Sequence, residues 1–323
     1  MARTDNLTNF LTDVSTAIKT KKGDNTPIKA SNFDTEIANL PSGGGDTNYN
    51  VCFDASLGTN SIVKGITEIN MIDTSNTTSF SEFFRYLENV VNFPAINTSK
   101  GTSFSYMFEG CKKMVESPYI DTSFGTNFTN MYRNCSVLKK IPLIDTSKGT
   151  SFSQMFAYDY KLTDVPALDT SLGTNFSQMF QNCEAMTEAP RLNTSKATNL
   201  SQIYSGCKGM KTMPELDCGS ATNVYAMTIN CSVLEHCGGF KDVGKAFSTT
   251  TSANNSNYSL SFTNTIMLTE ESVINILNGL YDIKTKGCNV QKCTLGTNNL
   301  RRLTSEEGQQ ALANATEKGW TVS

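Results

Sequence analysis

Ile144 to Leu168 reads IDTSKGTSFSQMFAYDYKLTDVPAL, and the same wording returns every 24 residues along the middle of the chain. The acid or amide that opens each copy falls at Asp73, Asn97, Asp121, Asp145, Asp169, Asn193 and Asp217. Proline keeps the same spacing at Pro94, Pro118, Pro142, Pro166, Pro190 and Pro214. A third column holds Cys111, Cys135, Cys183, Cys207 and Cys231, with Asp159 in the one place between. A fourth holds Phe80, Phe104, Phe128, Phe152, Phe176, Leu200 and Val224. Independent columns sharing one period without insertion mark a stacked repeat, in which no unit can bury its own apolar face alone.

Within a unit, the Thr, Ser, Asp and Gly residues of xTSxGT are turn and cap residues. The run that follows, SFSQMF, reads as one or two helical turns, with Phe152, Met155 and Phe156 at i, i+3, i+4 on one face. The second half, C-x-x-L-x-x-I-P-x-L, is short and extended, with Leu138, Ile141 and Ile144 inward. Proline cannot donate to a ladder, so each strand should run only two to four residues and pair in parallel with the next copy. The opening Asp/Asn column is read as turn residues bonding their own backbone.

The run MFxxCxxLxxIPxL resembles the BspA-like leucine-rich repeat, and DTSxxTNFSxMF is similar to the repeats of mycoplasma-type surface lipoproteins, over Ile72 to Cys237. The proline after Ile departs from the usual LxxLxL. The resemblance implies an α/β repeat: a leucine-rich-repeat solenoid of 24-residue coils with short parallel strands. A second resemblance lies in NLTNFLTDVSTAIKTKKGDNTPIKASNFDTEIANL. Its Leu11, Asp13, Val14, Ala17, Ile18, Lys19, Lys21, Gly23, Ile28, Phe33, Glu36 and Ile37 fit the short N-terminal module of bacteriophage tail and other virion proteins. That resemblance implies attachment. The stripe Leu7, Phe10, Leu11, Val14, Ile18, Phe33 and Ile37 is the candidate assembly face, since forty residues cannot form a good core alone.

The expected order is a helical attachment module at 1–40, a Gly-rich linker at 41–46 and an N-terminal cap at 47–72. About seven repeat units at 73–240 and an α+β C-terminal cap at 241–323 follow. In that cap, Thr269 should start a helix, Val290 to Leu295 form a strand, Thr304 or Ser305 cap a last helix, and Trp320 to Val322 close as a strand.

Net charge is −3 with both signs scattered, which does not give the basic stripe of a nucleic-acid binder. No stretch approaches the length of a membrane span, and MARTDNLTNF has no apolar signal core, so neither insertion nor export by the usual signal route is expected. The ten cysteines include no C-x-x-C and the chain has one histidine, His236, so no metal or cofactor site is expected, and the column cysteines read as buried free thiols. His236 has no nucleophile motif beside it, and no catalytic residue is assigned.

The outward positions around each IPx differ from copy to copy: Glu116 and Tyr119, Lys140 and Leu143, Asp164 and Ala167, Glu188 and Arg191, Thr212 and Glu215. Unlike side chains on a repeating frame form the candidate recognition face. Taken with the resemblances, this implies a non-enzymatic virion structural protein, a tail or baseplate appendage or fibre, made in a host bacterial cytoplasm. Its partners would be other virion proteins through residues 1–40 and a host cell-surface protein or glycan, with a trimer or other symmetric homo-oligomer implied by analogy. The alternatives are a bacterial surface adhesin of BspA type and a capsid decoration protein or head fibre.

Overall fold

A computed structural model describes residues 74–323, all within one compact unit. The expected attachment module, linker and N-terminal cap lie outside the described residues. So do Leu7, Phe10, Leu11, Val14, Ile18, Phe33, Ile37 and Asp73.

Successive copies pair in parallel at a fixed offset. Bridges join Ser79 to Ser103, Ser103 to Asn127, Asn127 to Ser151, Ser151 to Asn175, Asn175 to Asn199 and Asn199 to Asn223. The backbone explains this register. From Phe80 to Leu87 the N–H groups alternate in direction. Those of Phe83, Arg85 and Leu87 donate back three residues to Phe80, Glu82 and Phe84, while those of Phe80, Glu82, Phe84 and Tyr86 donate across to Ser103, Ser105, Met107 and Glu109 of the next coil. The pattern repeats down the chain, so in each coil this segment divides its donors between its own turn and the neighbouring coil.

This corrects the helical reading of SFSQMF. An α-helix spends every N–H on the carbonyl four residues back and leaves none for the neighbouring coil. Here the segment is a run of overlapping turns, with positive φ at Gln154 (+54°) and Tyr158 (+68°), and at the matching residues of the other copies. Phe152, Met155 and Phe156 are nevertheless all fully buried. The i, i+3, i+4 spacing was therefore right about the face and wrong about the hydrogen bonds.

The inward columns stack ring on ring. Phe80, Phe104, Phe128, Phe152 and Phe176 lie near-parallel with centroids 5.7, 5.9, 5.6 and 5.4 Å apart. A second file runs Phe84, Phe108, Tyr132, Phe156, Phe180, Tyr204. The Thr of each DTS is buried too. Thr122, Thr146, Thr170 and Thr194 donate their hydroxyls to the carbonyls of Asp145, Asp169, Asn193 and Asp217 in the next coil. Each described opening Asp or Asn, from Asn97 to Asp217, accepts from the N–H two residues on, as Asp145 Oδ1 does from Ser147 at 2.9 Å.

Four short strands end the stack: β1 (Thr212–Met213), β2 (Leu216–Asp217), β3 (His236–Cys237) and β4 (Phe240–Lys241), paired in parallel β1–β3 and β2–β4. Beyond them, β5 (Leu260–Ser261), β6 (Gln291–Thr294) and β7 (Trp320–Val322) form a parallel three-stranded sheet. Helix α1 (Glu270–Asn278) starts at its Thr269 cap, a four-residue α2 (Thr297–Leu300) follows β6, and α3 (Glu306–Glu317) starts at Ser305. Of the two caps the sequence offers for α3, Ser305 is the one used, accepting from the Gly308 N–H at 3.0 Å. The last coil is tied to α1, since the Cys237 N–H donates to Ser272 Oγ and the Thr269 N–H to the Glu235 carbonyl. Trp320 is buried, its indole N–H on the Tyr281 carbonyl at 3.0 Å.

The glycine of TSxGT has a reason other than turn flexibility. A Cβ built on Gly101, Gly125, Gly149 or Gly173 would sit 2.6, 2.7, 2.4 or 2.2 Å from the ring of the Phe three residues later. Where that ring is replaced by Leu200 or Val224, the position is Ala197 or Ala221. Thr77 before Phe80, at the start of the described stack, is the exception. Gly149→Ala should therefore destabilise the protein by about 1–3 kcal/mol through overpacking. Adding Phe152→Leu should recover part of that loss, and a double-mutant cycle in urea will show the two costs summing to more than the double variant's.

Candidate functional site

Five of the ten residues of the expected recognition face, Glu116, Lys140, Asp164, Glu188 and Thr212, stand in the short-strand column, and the other five follow them three residues on. Nine are exposed and Thr212 is half-buried. Bridges place Glu116, Lys140 and Asp164 in line, then Glu188, Thr212 and His236, with no such bridge joining Asp164 to Glu188. The neighbouring Ser117, Ile141, Ala189 and Met213 are buried, so the pleat turns its unlike residues outward.

The face changes character along its length. At one end Tyr119 is 75% and Leu143 69% exposed, beside exposed Val115 and Val91. Large apolar side chains held that far into water are the informative kind of exposure. Towards the other end come Glu188, Arg191 and Glu215. In the same two coils as Tyr119 and Leu143, Glu116 and Lys140 pair at 3.2 Å, both well exposed.

The charged end runs into a shallow groove of about 270 Å³, with Glu188, Arg191, Thr212 and His236 on its floor and Glu271 and Asn275 of α1 as its wall. A second groove of about 470 Å³ continues past Asn275 and Gly238 along Glu215, Lys241 and Tyr281. Both are open and polar, unlike the enclosed, mostly apolar cavities that hold small molecules. Among the described residues no group of three or more His, Cys, Asp and Glu is placed to hold a metal. The described cysteines are all unbridged, and in the repeats they are fully buried, with desolvation raising the Cys111, Cys135, Cys183, Cys207 and Cys231 thiols. Such thiols are poor nucleophiles.

Two features of this surface were missed in the sequence. His236 was read only as an isolated histidine, yet the period puts it one coil beyond Thr212. The α1 wall could not be foreseen, because its contact with the face spans more than thirty residues of chain. The period also carries an ion-pair code. Glu88 and Lys112, Glu116 and Lys140, Glu184 and Lys208, and Asp217 and Lys241 are each 24 residues apart and paired across coils. On another flank Glu109, its side chain 1% exposed, bridges Arg85 and Arg133 at 2.5 Å each. Arg85 also lies over the rings of Tyr86 and Tyr106, 4.7 Å from each centroid. Charges reversing sign at the repeat period were the available signal.

A family model described as "Mycoplasma protein of unknown function, DUF285" matches residues 58–164 and 119–217. The two matches overlap and together cover most of the repeated stretch. The chain is thus similar to that family where its copies are most regular. No curated protein matches the chain.

Glu109→Ala would leave two guanidiniums facing each other without their shared buried carboxylate, and should cost about 3–5 kcal/mol. Lys140→Ala, on the exposed face, should change stability by no more than about 0.5 kcal/mol. Urea unfolding of the two variants tests the contrast between a pair that holds the stack and one that only decorates it.

Proposed function

We propose that the protein is a non-enzymatic recognition protein whose repeats form a leucine-rich-repeat type solenoid. The observation that carries this reading is the row of unlike, exposed side chains from Glu116 to Glu215 on a frame whose inward columns scarcely vary. A rigid frame fixes where each side chain stands, so binding loses little entropy to ordering the surface. Exposed Tyr119 and Leu143 supply apolar contact area, and Glu188, Arg191 and Glu215 supply charge selectivity. The open, polar grooves support macromolecular contact rather than turnover of a small substrate.

The resemblance of residues 1–40 to virion attachment modules favours a bacteriophage particle as the carrier, as a tail or baseplate appendage or a head fibre. The ligand is then a host-surface protein or glycan, and several copies on one particle would add avidity. A second reading, a bacterial surface adhesin, is favoured by the mycoplasma description of the family that the repeats match.

Mass spectrometry of purified particles and labelling of intact, phage-free cells distinguish the two carriers. Recognition itself is tested by binding of the full chain to host cells. Tyr119→Ser combined with Leu143→Ser should weaken that binding by tenfold or more, the loss of about 1.4 kcal/mol or above, while leaving the unfolding midpoint nearly unchanged. Undiminished binding by a folded variant would remove this face from the account.

A further inference from the structure

The cysteine column has a two-way hydrogen-bond rule. Each thiol donates to a backbone carbonyl 27 residues earlier: Cys111 to Phe84, Cys135 to Phe108, Cys183 to Phe156, Cys207 to Phe180 and Cys231 to Tyr204, at 3.0–3.1 Å. Each sulfur also accepts from the N–H of the column residue one coil before, Cys135 from Cys111, Cys183 from Asp159 and Cys207 from Cys183.

Asp159 stands in this column, fully buried, where the other described copies have cysteine, or Leu87 in the first of them. Its Oδ1 accepts from the Cys135 N–H at 2.8 Å, the accepting half of the rule. Its Oδ2 is buried and has no donor to accept from. By the period of the stack, the carbonyl that should receive a proton there is Tyr132's. A carboxylate has no proton to give, and two oxygen lone pairs would face each other in a dry interior. The groups facing Asp159 offer no cation. They are the thiols of Cys135 and Cys183 and the phenol of Tyr132, which burial raises and which bonds Ser117 at 2.9 Å.

We propose that Asp159 is held as a carboxylic acid whose Oδ2–H donates to the Tyr132 carbonyl, making its coil a joint that weakens as the pH rises. Desolvation raises the Asp159 carboxyl well above the ordinary carboxylate range. The sign follows. Below the unfolded-state value both states hold the proton and the contribution is complete. As the pH rises from the unfolded-state value towards the folded-state value the folded form alone retains it, and stability falls until the folded form has lost the proton too. Asp145, Asp169, Glu270 and Asp282 run the other way. Donors from Ser147, Ser171, Ser305 and Thr285 lower them, and their contributions are lost only in acid.

The test is unfolding of the full chain between about pH 5 and 7.5, above the lowered carboxylates and below ordinary thiol titration. Asp159→Asn keeps an acceptor oxygen and a donor at the same two places and cannot ionise. The wild-type folding constant should fall relative to that of Asp159→Asn by about tenfold per pH unit. Asp159→Cys, which restores the column, should show the same flatness. Parallel pH profiles for wild type and either variant would overturn the proposal. Infrared difference spectra of wild type against Asp159→Cys at neutral pH add a readout independent of unfolding: a protonated-carboxyl stretch in the wild type supports the assignment, and its absence refutes it.

Discussion

The described fold depends on one arrangement of backbone donors. In the coils of Phe80 through Leu200, alternate N–H groups turn inward to the local turn and outward to the next coil, so none of these copies can satisfy its main chain without its neighbour. The period follows from that exchange. A copy longer or shorter by one residue would bring a local donor opposite a cross-coil carbonyl, and each later inward side chain would move to the wrong face. Positive φ at Glu82, Tyr106, Gln154, Gln178 and Gln202 is the accompanying strain, at residue types that elsewhere avoid it. The bonds between coils hold it in place.

With the register fixed, side chains are chosen by their likeness to the residue one coil away. Rings lie on rings, thiols pass hydrogen bonds to carbonyls in the coil before, and opposite charges meet at one period. Small residues are fixed by the same neighbours. Gly149 is glycine because the Phe152 ring lies over it, and Ala197 is allowed because Leu200 is smaller. Asp159 keeps the accepting role of the column, its Oδ1 taking the Cys135 N–H, with a carboxyl in place of a sulfur.

The surface follows different rules on different sides. Glu109 between Arg85 and Arg133 is locked into the stack, while Glu116 and Lys140 pair loosely in water. Only the second kind of position is free to vary without cost to the frame. The proposed recognition face is built of such positions, and its apolar end and its charged, grooved end suit different parts of one large ligand.

The sequence by itself determined the period, the inward columns, the free thiols, the Asx turns at Asp145 and its equivalents, and the cap at Thr269, and it narrowed the cap of the last helix to Thr304 or Ser305. These are local or periodic properties, visible wherever one copy can be laid on the next. The outward placement of Glu116 to Glu215 was legible for the same reason. The tertiary structure alone decided that SFSQMF is a run of turns and not a helix, because apolar spacing records which face is buried and not where an N–H points. It alone set α1 beside His236 and left Asp159 without a partner for its second oxygen. Those facts depend on contacts between residues far apart in the chain, or on the geometry of a column, and no single copy contains either.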